Sequence, residues 1–335
     1  MTPGLNPYLF VVGAARSGTT LLQRMLDAHP LLAVVNKTYW LPRKYRERTG
    51  LTRDGLVTAA LFPLLLDSPK FERMGFGEED LQRIAGDGAP IRYVDFVGRL
   101  FDEYATRQGK QLAGDKTPGY VRRMAQLHEL WPKARFVHII RDPRDVCLSL
   151  LDWSSGERTA GQFGTWQLDR KVSSALYWRY SVAIGREAGM ALGAELYHET
   201  RYEDLVTRTE AELGRLCEFL DIPFDVAMQN YHVGRTRPKP GRSSKAQWRP
   251  PTRGLRDWTT QLAAHDSAAI EVAVGELLGE LGYPPGSSPA RPALLAHVGE
   301  VRSGSPRTFA LTTGPFRGAG DMTLRDARTR PWRAT

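Results

Sequence analysis

Short apolar runs closed by glycine or charge recur along the chain, at Tyr8–Val12, Leu31–Val35, Gln111–Ala113, Arg135–Ile140 and Leu196–Tyr202. Runs of this length predict β-strands. Between them the period changes. Thr19–His29 follows the first run directly and reads as a helix. Val121, Met124, Leu127 and Leu130 fall on one helical face behind Pro118. Lys171–Leu192 is a long amphipathic stretch, and Glu210–Leu220 is another, stopped by Asp221-Ile222-Pro223. Strands separated by helical segments predict an α/β fold, a mainly parallel sheet flanked by helices on both faces.

Two segments depart from this rhythm. Residues 40–110 are mostly helical in pattern and separate the first two strands from the third, an insertion of the kind that commonly builds a substrate pocket beside a constant core. Residues 284–335 turn rich in Gly, Pro, Ser and Arg, which predicts an extended or disordered tail after a single domain over 1–283. No internal repeat is visible.

At 335 residues and 41% hydrophobic content the chain can bury a substantial core. Two cysteines, Cys147 and Cys217, make no disulfide framework, and no CxxC or Cys/His cluster suggests zinc. The first apolar run is too short for a signal sequence or a membrane span, so a soluble, cytoplasmic protein without a membrane partner is expected.

A formal charge of +9 suits an anionic ligand or a nucleic acid. Much of it is concentrated between Tyr231 and Trp258, where eight Lys and Arg residues are opposed by the single acid Asp257. A solvated loop accounts for such a run equally well. Its interleaved aromatics are limited to Tyr231, Trp248 and Trp258, so no nucleic-acid partner is expected.

The sharpest local pattern is Phe10–Leu22, where an apolar strand enters the small-residue loop Gly13-Ala-Ala-Arg16-Ser17-Gly18 and a helix starts at Thr19-Thr20. Backbone N–H groups in such a loop, with the helix N-terminus behind them, hold an anion. The spacing Gly13-x4-Gly18 is that of a P-loop, but Thr19 stands where a nucleotide triphosphatase has lysine. That disfavours a nucleotide-dependent kinase, which remains the rival enzyme class. A second strand-to-helix passage, Arg135–Ser149, places Arg141 at a strand's carboxyl end, where open α/β sheets bind ligands. Ser149 follows about two turns along the helix, and the Arg141/Arg144 context of Asp142 suits an anion better than magnesium.

These elements together resemble the PAPS-dependent sulfotransferases (PAPS, 3′-phosphoadenosine-5′-phosphosulfate), in the branch that includes tyrosylprotein and bacterial secondary-metabolite enzymes. Arg16-Ser17-Gly18-Thr19-Thr20 with Asp27-Ala-His-Pro30 is similar to that family's 5′-phosphosulfate loop. Phe136–Asp145 with Ser149 is similar to its 3′-phosphate motif. Gly114–Pro118 and Arg201–Leu205 resemble two further elements, all in family order.

The resemblance implies a P-loop-like nucleotide-binding fold and sulfuryl transfer to a hydroxyl or phenol of a small molecule or glycan, with release of PAP and no metal. It implies that Arg16–Thr20 take the 5′-phosphosulfate and that Arg141 and Ser149 take the 3′-phosphate. By the same resemblance Tyr202 is expected near the nucleotide, with Ser243, Ser244, Lys245 and Arg249 expected to close over it. Lys116, with Arg16, steadies the transferring group. A Glu usually follows the His-Pro in this branch, just ahead of a Thr, and here Lys37 occupies that place before Thr38. Three alternatives follow: another base, Asp115 ahead of His198; an acceptor acidic enough to need little help; or a chain that binds nucleotide without catalysis.

Overall fold

The computed structural model describes residues 5–86, 88–233, 250–252, 254–286 and 292–303. All five expected strands form: β1 Leu9–Val12, β2 Leu32–Asn36, β3 Leu112–Lys116, β4 Arg135–Ile140 and β5 Tyr197–Arg201. They make one parallel sheet in the order β2-β3-β1-β4-β5. The chain leaves central β1 for one edge and later crosses to the other side at β4. The crevice at the carboxyl ends of β1, β3 and β4 is therefore the expected ligand position.

The helices in chain order are α1 Thr19–Ala28, α2 Leu41–Glu47, α3 Leu61–Leu66, α4 Glu78–Ala85 and α5 Tyr93–Arg107. After β3 come a 3₁₀ turn, Pro118–Arg123, and α6 Met124–Leu130; after β4 come α7 Pro143–Leu151, α8 Gly156–Ala160 and α9 Arg170–Leu192. The chain continues with α10 Tyr202–Thr207, α11 Thr209–Leu220, α12 Trp258–Gln261, α13 Ala264–Val274, α14 Leu277–Glu280 and α15 Pro292–Ser303. None among the described residues is long and apolar enough to cross a membrane.

Strand alternation divides the core. Phe10, Val12, Ala33 and Val35 face the 40–110 insertion and α6, whereas Leu9, Val11, Leu32 and Val34 face α1 and α11. Both faces being covered explains why the strands read as unbroken apolar runs. Local signals set the helix ends. His29 is extended (φ −63°, ψ 136°) before Pro30 and ends α1. Asp142 accepts the Arg144 N–H and is followed by Pro143 to start α7, and Asp169 accepts two N–H groups to start α9.

The tail departs from expectation. Within the segment expected to be extended, Pro292–Ser303 is a helix, and its Val298 and Val301 are buried in the cluster built by α7, α9 and α13. Two apolar residues three apart suffice to dock one turn, which composition alone does not reveal.

Candidate active site

Between β1 and α1 the chain makes a tight loop whose shape depends on two glycines. A Cβ on Gly13 would meet the Ile139 carbonyl oxygen at 2.5 Å, and one on Gly18 would meet Tyr202 Cδ2 at 2.4 Å. Both have positive φ, 152° and 95°, as has Arg16 at 78°. The loop is pinned from outside by the Gly13 N–H on the Pro118 carbonyl at 3.2 Å and the Ala15 N–H on the Tyr177 hydroxyl at 2.9 Å. Helix α1 starts at Gly18 without a side-chain cap, which leaves its first N–H groups facing the loop.

The two halves of the sequence motif meet here. Arg16 Nε donates to Ser149 Oγ at 2.9 Å, and its guanidinium lies 5.2 Å from the Trp153 ring centroid. Burial, with Arg141 and Arg256 nearby, lowers its pKa to about 10. Arg256, at the end of the basic run, pairs with Asp152 at 2.6 Å. Arg141 is buried, stacks 4.3 Å over the Tyr202 ring and pairs with Asp145 at 2.9 Å. Asp145 in turn accepts the Trp258 N–H at 3.0 Å.

Two donors here are buried with no partner among the described residues, Arg141 Nε and Ser17 Oγ. Buried donors of this kind are costly unless a ligand satisfies them. Arg144 has a different fate from that expected for an anion ligand. It is fully buried between Asp142 at 2.7 Å and Glu271 at 2.8 Å, 3.6 Å over the Trp258 ring, and ties α7 to α13.

At the end of β3, consecutive residues point to opposite faces. Lys116 lies on the α1 side, with Nζ 3.2 Å from Thr20 Oγ1 and no solvent exposure. Burial, then Lys37, pushes its pKa well down. Asp115 shares register and face with Phe10 and accepts the Thr38 N–H at 3.2 Å. It too has no solvent exposure, its Oδ1 has no partner among the described residues, and burial raises its pKa to about 7. His198 stacks on Phe219, away from these groups. Ser243, Ser244, Lys245 and Arg249 lie outside the described residues.

Sequence reasoning missed Tyr177 and Trp153 and gave Asp145 no role of its own. Only Asp145 carried a signal, as an acid four residues beyond Arg141 in the first turn of α7. A cavity of about 300 Å³ lined by Glu157, Arg158, Gln162 and Trp166 holds no phosphate-loop residue, although Arg122 reaches its Gln162 at 3.0 Å.

Comparison with known proteins gives the family. A 25% identical relative, protein-tyrosine sulfotransferase A of Caenorhabditis elegans, aligns over 85% of this chain and 69% of its own length. Nodulation protein NoeE of Sinorhizobium fredii is 25% identical over 93% of this chain and 74% of its own. The sulfotransferase domain of the Synechococcus PCC 7002 olefin synthase, 22% identical, superposes on 88% of this chain and 92% of its own with a TM-score of 0.46. The profile of the Sulfotransferase family matches residues 7–226, a span that takes in the β1–α1 loop, the end of β3, the Arg141–Ser149 segment and Tyr202, and the chain belongs to that family.

Proposed function

We propose that this sulfotransferase uses PAPS as donor and transfers its sulfuryl group to a hydroxyl or phenol of a small molecule or glycan, releasing PAP. A protein tyrosine is a phenol too, and the name of the Caenorhabditis relative brings it into the same acceptor class. The observation that carries the donor reading is the double cradle. Arg16 and Ser149 touch at 2.9 Å, and beside them Arg141 Nε and Ser17 Oγ are buried donors without partners among the described residues. A ligand with anionic groups at two ends fits such a site. A cytoplasmic setting is supported by Cys147 and Cys217, both buried free thiols.

In this reading the N–H groups of the loop, Arg16, Ser17, Gly18, Thr19 and Thr20 hold the 5′-phosphosulfate. Arg141 and Ser149 hold the 3′-phosphate, and Tyr202 lies beside the nucleotide. PAPS supplies the sulfuryl group and a phosphate leaving group. Lys116 is a buried amine that can donate hydrogen bonds, and with Arg16 it steadies charge on the sulfuryl oxygens in transfer. Asp115 holds the Thr38 turn from the opposite face of the sheet. Its polar contact to the turn makes it a positioning residue.

Mass spectrometry of a metabolite pool incubated with enzyme and PAPS tests this directly, through products heavier by one sulfuryl group. PAP should also protect the protein from heat more than ATP with magnesium does. Equal protection by both would favour kinase-like binding and sink the donor assignment.

A further inference from the structure

A titratable group that this mechanism leaves unused stands just past the end of β2, against the Lys116 strand. We propose that Lys37, acting as a neutral amine, is the general base that removes the acceptor's proton. The proposal rests on the sulfuryl-transfer reading above and names the residue that completes it.

Its placement comes first. Lys37 follows the last residue of β2, Asn36, which pairs with Lys116, and its own N–H donates to the Lys116 carbonyl at 2.9 Å. Lys37 and Tyr39 both have left-handed backbone, φ 68° and 57°. Non-glycine residues adopt it reluctantly. Between them Thr38 anchors the turn, its N–H on Asp115 and its hydroxyl 2.7 Å from the buried Tyr120 hydroxyl. The turn is therefore held from behind, and it sets half-buried Lys37 against the Lys116 backbone, in the electrostatic field of the Lys116 and Arg16 side chains. These are the two side chains assigned to the sulfuryl group.

The surroundings decide its protonation. Lys70 and Arg73, from the segment before α4, add two more cations, and Arg73 is fixed by its bond to the Asn36 carbonyl at 3.1 Å. No ion pair among the described residues involves Lys37, and Asp115 is turned to the opposite face. Burial first, then Lys70, Arg73 and Arg16, lower the Lys37 pKa. Desolvation and like charges act in the same direction on an amine, and lysines so placed serve as general bases. Asp115 lies on the opposite face of β3 from Lys116 and is engaged by the Thr38 turn.

The step balances without a further reactant. The acceptor oxygen forms its bond to sulfur while its proton passes to Lys37 Nζ, and the electron pair of the breaking S–O bond leaves on the 5′-phosphate of PAP. Lys37 then returns its proton to solvent. Bound donor adds negative charge beside Arg16 and Lys116, so the working midpoint of Lys37 lies higher with donor bound than in the free protein. Turnover should rise with pH until Lys37 is neutral and then level off.

Two experiments test the assignment. Competitive acylation of lysines across pH, read by mass spectrometry on the free protein, should give Lys37 a midpoint below the ordinary lysine value of about 10.4. A midpoint in the ordinary range would overturn the proposal, whatever the donor proves to be. Lys37→Arg and Lys37→Met should each lower kcat by about 10²–10⁴-fold on weakly acidic hydroxyls and much less on strongly acidic phenols. PAP affinity should stay near normal in both. Retained activity in Lys37→Arg would show that only the positive charge matters, and PAP binding lost in step with turnover would make Lys37 a donor ligand. Either result overturns the base. If the wild type transfers nothing from PAPS to a panel of phenols, the donor reading fails, and the labelling midpoint still decides the state of Lys37.

Discussion

Arg16 donates through Nε to Ser149 Oγ at 2.9 Å, across 133 residues of sequence. That bond joins the loop after β1 to the helix after β4, on either side of the point where the chain changes direction across the sheet. The bond couples the two elements directly, so a change in either loop or helix is felt by the other.

Arg141 should separate donor ligands by their 3′-phosphate. Arg141→Ala removes a charge-assisted contact worth roughly 1.5–3 kcal/mol, so PAP binding should weaken about ten- to a hundredfold. Binding of 5′-AMP should change far less. Isothermal titration with both ligands checks this, and equal losses would take Arg141 away from the 3′-phosphate. Stability should fall as well, because Asp145 loses its 2.9 Å partner in a mostly buried position.

Gly18 should resist even alanine. The new Cβ would stand 2.4 Å from Tyr202 Cδ2 at a φ of 95°, a conformation that L side chains rarely adopt. Gly18→Ala should weaken PAP binding at least about tenfold while the far-ultraviolet circular dichroism stays native. Adding Tyr202→Ala relieves the clash but not the backbone strain, so the double variant should recover only part of the loss. Full recovery would make the ring contact, and not the left-handed backbone, the reason for glycine.

Arg144 should matter to folding and not to the donor. It is fully buried between Asp142 and Glu271, and removing one member of a buried ion-pair network costs about 3–5 kcal/mol. Arg144→Met should lower the denaturation midpoint sharply. Where enough protein stays folded, PAP affinity should remain within a few-fold of wild type. A specific loss of PAP binding at unchanged stability would return Arg144 to the site.

The sequence made the sheet legible because apolar runs buried on both faces carry a plain signal. It was weakest where strands end in function. Expected only to Ala113, β3 continues through Gly114, Asp115 and Lys116, polar residues that pair with β1 and β2 all the same. Motif residues Arg16, Arg141, Ser149 and Tyr202 came together because each follows the carboxyl end of a parallel strand. Tyr177 could not be foreseen: it reaches the Ala15 N–H from the middle of α9, in a stretch patterned like any buried helix. Lys70 and Arg73 belong to the insertion, where no strand order fixes position, and only the folded chain shows them beside Lys37.

Asp115 should leave its mark on stability as a function of pH. Burial raises its carboxyl to about 7 in the folded chain, against about 3.9 when unfolded. Between roughly pH 4 and 7 the folded state therefore binds more protons than the unfolded one, so this group's contribution is full below that window and is lost as pH rises through it. A shift of about three units sets an upper limit of about 4 kcal/mol on the loss. Lys116, whose ammonium is disfavoured by burial, contributes the opposite slope, present at high pH and lost as pH falls through its lowered folded value. Comparing Asp115→Asn with wild type isolates the carboxyl. The amide oxygen can still accept the Thr38 N–H, and the amide carries no charge to bury. Chemical denaturation at pH 5 and pH 8 should then show a smaller drop for Asp115→Asn than for wild type. An equal drop in both would place the pH-sensitive group elsewhere. A fall in turnover of 10²-fold or more in this variant, with Lys37→Arg fully active, would move the base from Lys37 to Asp115.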